Sequence, residues 1–85
     1  MKVKLLYFAA LREQLGTPGE EIELPAGVGT LAALRSHLRG RGGAWELALA
    51  DGKLVRTALN QDMAPPTAVL NAGDEVAFFP PVTGG

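Results

Sequence analysis

Asn71-Ala72-Gly73-Asp74-Glu75-Val76-Ala77-Phe78-Phe79-Pro80-Pro81-Val82-Thr83-Gly84-Gly85 is the stretch from which the fold is read. Asn71 to Asp74 has the composition of a tight turn. Glu75 to Phe79 then reads as a strand whose side chains alternate between two faces. Pro80 and Pro81 cannot continue a hydrogen-bonded ladder, so the chain leaves the sheet there. A strand this rich in bulky apolar residues belongs in the middle of a sheet, and its natural neighbour is the other such segment, Lys2 to Phe8. In that segment Val3, Leu5 and Tyr7 fall on one face, with Lys2, Lys4, Leu6 and Phe8 on the other.

Between these two strands the chain supplies what covers them. Ala9 to Leu15 reads as a short helix with Leu11 and Leu15 one turn apart, stopped by Gly16 in a left-handed conformation. After the Thr17-Pro18-Gly19 turn, Glu21-Ile22-Glu23-Leu24 alternates as a half-buried strand that returns onto the first, and Glu20, Glu21 and Glu23 read as its wet face. Thr30 is the expected N-cap of the main helix. Leu31, Leu34 and Leu38 form that helix's apolar stripe, and Gly40, Gly42 and Gly43 end it. Trp45 to Leu49 is one further helical turn, with Trp45 as a core anchor. Asp51-Gly52 turns the chain into a strand over Leu54 to Asn60. Pro65-Pro66 excludes a central strand, leaving Thr67 to Leu70 as an edge segment. The helical stripe needs a sheet to bury against. The expectation is therefore an α+β roll, a mixed sheet of four to five strands on one main helix, spanning residues 1–80 with a tail over 81–85.

Composition narrows the function. With 85 residues the chain makes one small domain with little room to enclose a substrate pocket. A net charge of −1 argues against a partner held through phosphates, so no nucleic acid is expected. No cysteine is present, which excludes thiol catalysis and thiolate metal sites, and the single histidine, His37, cannot build a metal site alone. The longest apolar run, Leu5 to Leu11, is too short to span a bilayer, and no signal-type segment precedes it, so the expected compartment is the cytoplasm. Gly40 to Gly43 lacks the spacing and lysine of a phosphate loop. Arg35, Arg39 and Arg41 read as a solvated helix side, and His37 as partly exposed.

The tail is the unusual part. It follows the most aromatic strand, carries a proline pair, and finishes on Gly84-Gly85. Fully extended, Pro80 to Gly85 would reach about 20 Å. Glycine has no Cβ, so such a terminus fits a channel too narrow for any side chain. The pattern describes a carboxylate presented on a stalk to another protein's pocket.

The run from Asp74 to Gly85 resembles the C-terminal signature of the small subunits of molybdopterin synthase. Phe8-Ala9 with Arg12-Glu13, Asp51-Gly52-Lys53-Leu54 and Asn60-Gln61 match that family at the right relative positions. The resemblance implies a β-grasp, ubiquitin-like sulfur carrier. It implies that the Gly85 carboxylate is adenylated by an activating enzyme that consumes ATP, then converted to a thiocarboxylate. Pro81, Val82, Thr83, Gly84 and Gly85 would enter the large subunit of the synthase, where the sulfur passes to cyclic pyranopterin monophosphate. It also implies assembly as two carriers on a large-subunit dimer. No cofactor, metal or membrane is expected for the carrier, and no catalytic side chain, since the chemistry needs none beyond the terminal carboxylate. Alternatives with the same tail are a carrier for thiazole formation in thiamine synthesis or for tRNA thiolation, a protein modifier, and an inert interaction module.

Alternation also gives a docking surface. If Val3, Leu5, Tyr7, Val76 and Phe78 face the helix, then Leu6, Phe8, Ala77 and Phe79 point away from it. With their strands adjacent, Leu6, Phe8 and Phe79 form an apolar patch of the kind that marks an interface. The family resemblance adds Met63 to Phe8 and Phe79 as partner contacts. The alternative is that the Trp45 segment or a loop covers this face.

Overall fold

The structure is a computed structural model that describes residues 1–80. Its elements are β1 (Lys2–Tyr7), α1 (Ala9–Leu15), β2 (Gly19–Glu23), α2 (Leu31–Arg39), α3 (Gly43–Ala48), β3 (Arg56–Leu59), β4 (Asp62–Met63) and β5 (Glu75–Phe79). The strands form one five-stranded sheet in the order β2-β1-β5-β3-β4. The two apolar strands lie side by side and parallel, with Leu5 opposite Val76 and Tyr7 opposite Phe78. β2 returns antiparallel onto β1, and β3 lies antiparallel on β5. This is the mixed sheet of the expected α+β roll, with α1 and α3 joining the main helix α2 on the covered face.

The helices sit where their capping chemistry puts them. Thr30 is extended, and its hydroxyl accepts the Ala33 N–H at 3.1 Å, supplying one of the acceptors a helix start lacks. Gly16 ends α1 at φ 75°, a conformation that costs glycine nothing and L side chains about 1–2 kcal/mol. Leu31, Leu34 and Leu38 of α2 are buried against Val3, Leu5, Val76 and Phe78 of the sheet, with Leu11, Leu24, Leu49 and Leu70 closing the sides of the core.

One edge of the core is sealed by charge and aromatic stacking. The Tyr7 ring is buried, stacks on Phe78 at 5.9 Å and meets the edge of Trp45 at 5.4 Å. Its hydroxyl donates to Glu20 at 3.0 Å. Arg41 donates to both oxygens of that carboxylate at 2.8 and 2.9 Å, and its guanidinium lies 4.4 Å from the Trp45 ring centre. The Arg41 hydrogen bonds hold the Glu20 carboxyl below the usual carboxylate range, and burial pushes the Tyr7 hydroxyl well above its usual value.

Several expectations are corrected. Glu20 does not share a wet face with Glu21 and Glu23. β2 begins at Gly19, so Glu20 stands opposite Leu5 on the covered side and is paired there with Arg41. Arg41 is exposed, as the solvated-side reading expected, but it is also paired, latching β2 to the end of α2 through Glu20. Arg35, too, is engaged, donating to the carbonyls of Leu49, Ala50 and Lys53 at 2.6–2.9 Å and pinning the loop after α3. The strand expected over Leu54 to Asn60 narrows to Arg56–Leu59. Asn60 and Gln61 turn it back at φ 50° and 72° into β4, a strand that the sequence reading did not contain. Thr67 to Leu70 forms no named strand; Val69 makes a single bridge to Thr30. His37 is exposed on α2, as expected.

Candidate functional site

The sheet face away from the helices is built in cross-strand rows, because opposed residues in a ladder point the same way. The rows at the start of β1 carry charge: Lys2 stands opposite Glu23, and Glu21, Lys4 and Glu75 stand opposite one another across β2, β1 and β5. The next row is apolar and runs Gly19, Leu6, Ala77, Ala58, Met63 across all five strands. Phe79 and Arg56 form the last row with Phe8 beside them. Phe8 is still extended, at φ −120° and ψ 155°, and its N–H donates to the Phe78 carbonyl at 3.1 Å, so it continues the alternation onto this face. Ala9 then turns at φ 52° into α1 and ends the strand there.

The middle row is floored by small residues. Ala58 and Ala77 are 7% and 9% exposed, and Gly19 has no room for a side chain: a Cβ there would stand 2.4 Å from the Leu5 carbonyl oxygen. Around this floor stand Leu6 and Phe79, half-buried, and Phe8 and Met63, 44% and 56% exposed. The face is therefore a shallow apolar trough with aromatic and thioether walls, bordered at one end by the facing charges of Glu21, Lys4 and Glu75 and open at the other, where Arg56 stands. It meets the description of a surface shaped to receive another chain.

All four residues named for the patch, Leu6, Phe8, Met63 and Phe79, fall on this one face. Trp45 lies against Tyr7, on the opposite side of the sheet, so it does not cover the trough. The tail residues Pro81, Val82, Thr83, Gly84 and Gly85 lie outside the described residues. Pro80 directly follows Phe79, which places the tail's root at the open end of the trough. Sequence reasoning missed Ala58, Gly19 and Arg56 as parts of this face. The signal for Ala58 and Arg56 was the alternation of β3 once its start is known, and for Gly19 the register of β2. Among the described residues no cluster of metal-ligating side chains is present, and no helix is long and apolar enough to cross a membrane.

A family model described as the ThiS family matches residues 5–85, nearly the whole chain. The chain belongs to the ThiS family. This ThiS-family chain is 48% identical over 83 residues to the molybdopterin synthase sulfur carrier subunit of Escherichia coli K12, covering 98% of this chain and 99% of that protein. Its fold superposes on SAMP1 from Haloferax volcanii with a TM-score of 0.78 at 29% identity, over the full length of both chains. A Helicobacter pylori structure that captures subunits 1 and 2 of molybdopterin-converting factor in complex matches at a TM-score of 0.67 and 26% identity, again over both whole chains. The β-grasp architecture that the family resemblance implies, on the α+β roll expected from the strand pattern, is thus shared with these solved structures.

Proposed function

We propose that this chain is the sulfur-carrier subunit of a molybdopterin synthase in molybdenum cofactor biosynthesis, with Gly85 as its reactive terminus. The observation that carries the reading is the convergence at one end of the sheet. The apolar trough and the root of the Gly-Gly tail are adjacent, so a partner seated on Leu6, Phe8, Met63 and Phe79 receives Pro81 to Gly85 directly. The 48% identity to a sulfur carrier subunit and the complex of subunits known for the Helicobacter pylori relative support the same partner class, a large synthase subunit.

The chemistry asks little of the carrier body. A carboxylate is a poor electrophile until one oxygen is made a good leaving group. The activating enzyme supplies this by transferring AMP from ATP to the Gly85 carboxylate, with pyrophosphate released. A sulfur nucleophile then attacks the acyl carbon and expels AMP, leaving a thiocarboxylate. In the large subunit that sulfur forms a bond to a carbon of cyclic pyranopterin monophosphate while a carbon–oxygen bond of the same carbon breaks, the oxygen leaving with the bonding electron pair. Water cleaves the resulting acyl–sulfur bond, so the pterin keeps the sulfur and the carrier regains its carboxylate. Every step is at the terminus, so the reaction asks no cofactor of the carrier body, and on this reading it works with two protein partners in the cytoplasm. Its body contributes affinity and aim, which fixes the terminus near the acceptor and converts a bimolecular encounter into a local one.

The test is intact mass of the natively purified chain with and without the activating enzyme. Normal cells yield a fraction with one terminal oxygen replaced by sulfur, and cells lacking the enzyme yield only the carboxylate. A chain extended by one residue beyond Gly85, protected from trimming, loses sulfur transfer with an unchanged melting temperature. Retained transfer in that extended chain, or absence of the sulfur form in normal cells, overturns the reading. Lysine-linked adducts in place of the sulfur form would assign it to protein modification instead.

A further inference from the structure

The outer face of the sheet is electrically lopsided. Towards the start of β1, Lys2 stands opposite Glu23, and Lys4 stands between Glu21 and Glu75, so basic and acidic side chains compensate one another within the sheet. The N-terminal ammonium adds a further contact to Glu23 at 2.8 Å. At the other end the pattern stops. Arg56 is exposed, stands opposite Phe79, and has no carboxylate partner among the described residues. The other residues of its row, Phe8 and Phe79, are aromatic and bring no charge.

We infer that Arg56 is an electrostatic determinant of docking, matched to an acidic side chain of the large subunit at the mouth of its tail channel. The inference rests on the docking reading above and adds the partner's chemistry. An uncompensated guanidinium on the rim of an apolar trough is the arrangement that speeds encounter and fixes register without contributing much to the dry centre of an interface. A carboxylate on the partner also suits the planar fork of arginine, which it can meet in a bidentate pair.

The terminal carboxylate does not compete for this role within the docked complex. Five residues at full extension span at most about 17 Å, so a partner channel of that depth would set the carboxylate that far from its mouth. That is roughly two Debye lengths at physiological salt. The partner's channel mouth can therefore be acidic towards Arg56 while its interior binds the anionic terminus. The charge of the mouth and the charge of the active centre are separate requirements, and Arg56 reads only the first.

The experiment measures association and dissociation rates of the full chain with the purified large subunit at low and at high ionic strength. Arg56→Glu is expected to lower the association rate constant about tenfold at low salt and only about twofold at high salt, with dissociation changed far less. Arg56→Gln falls between. Lys2→Gln, which makes the same change in net charge at the opposite end of the face, stays near wild type. Equal association for wild type and Arg56→Glu, or an equal loss in Lys2→Gln and Arg56→Gln, overturns the inference while leaving the docking face intact. Failure of the wild-type chain to bind the large subunit at all overturns the docking reading itself.

Discussion

Phe8→Ala tests the proposed docking role of the trough separately from its part in the fold. Phe8 is 44% exposed, and a phenylalanine side chain offers about 200 Å² of surface, so about 90 Å² is open and would be covered in the proposed complex. At about 25 cal/mol per Å² this is worth about 2 kcal/mol on docking, or a Kd raised roughly 30- to 40-fold. The buried remainder, about 110 Å², sets an upper bound of about 3 kcal/mol on the loss of fold stability, and realistic unfolded chains bring it down by a tenth to two-fifths. The assay is calorimetric titration of the large subunit with each variant, at a temperature where urea unfolding shows more than about 99% of the chain folded. Phe8→Leu serves as the companion, since it keeps most of the buried contact and should cost less than half as much on both axes. A Phe8→Ala chain that remains folded and binds within threefold of wild type would refute the assignment of this face.

Two further outcomes follow from local geometry. Glu20→Gln keeps the size of the side chain but removes the charge held by Arg41 and Tyr7, and should lower stability by about 1 kcal/mol, discounted for the partial exposure of the pair. Because the folded-state pKa of Glu20 is depressed, its contribution is full above the unfolded carboxylate value and disappears as pH falls through the folded value; melts from neutral to acid pH should show wild type and Glu20→Gln converging. At the β3–β4 turn, Gln61 sits at φ 72°, so Gln61→Gly should raise stability by about 0.5 kcal/mol, read as a melting temperature about 2–4 °C higher; a lower value would mean that the glutamine side chain holds the turn.

The parts of the fold that were legible in the sequence are those governed by strong local rules. α1 ends where Gly16 allows a left-handed residue, α2 starts where Thr30 caps it, and the alternation of β1 and β5 assigns every residue to its proper face. The parts that were not legible depend on register and distance. Glu20 looks like one of a set of exposed acids until β2 is known to start at Gly19, which turns it towards Tyr7 and Arg41. β4 is only Asp62–Met63, too short to carry a period, and its turn uses Asn60-Gln61 where the familiar hairpin signal would place a glycine. The same limit applied to the trough. Its aromatic walls follow from alternation, but its floor exists because Ala77, Ala58 and Gly19 meet from three strands that are far apart along the chain. Met63 entered through family resemblance, and the β3–β4 pairing gives its position on the face a physical basis.

The middle position of β5 has a consequence for how the protein is made. This strand is synthesised after the other four, yet it fills the slot between β1 and β3, so the sheet stays split until residue 79 has cleared the ribosome. A product that terminates early lacks the central strand and with it Ala77, Phe79 and the pairing that orients Phe8. Under the proposed docking, unfinished chains are thus barred from occupying the synthase as dead-end competitors, because the proposed recognition surface and the segment leading to the tail are completed together.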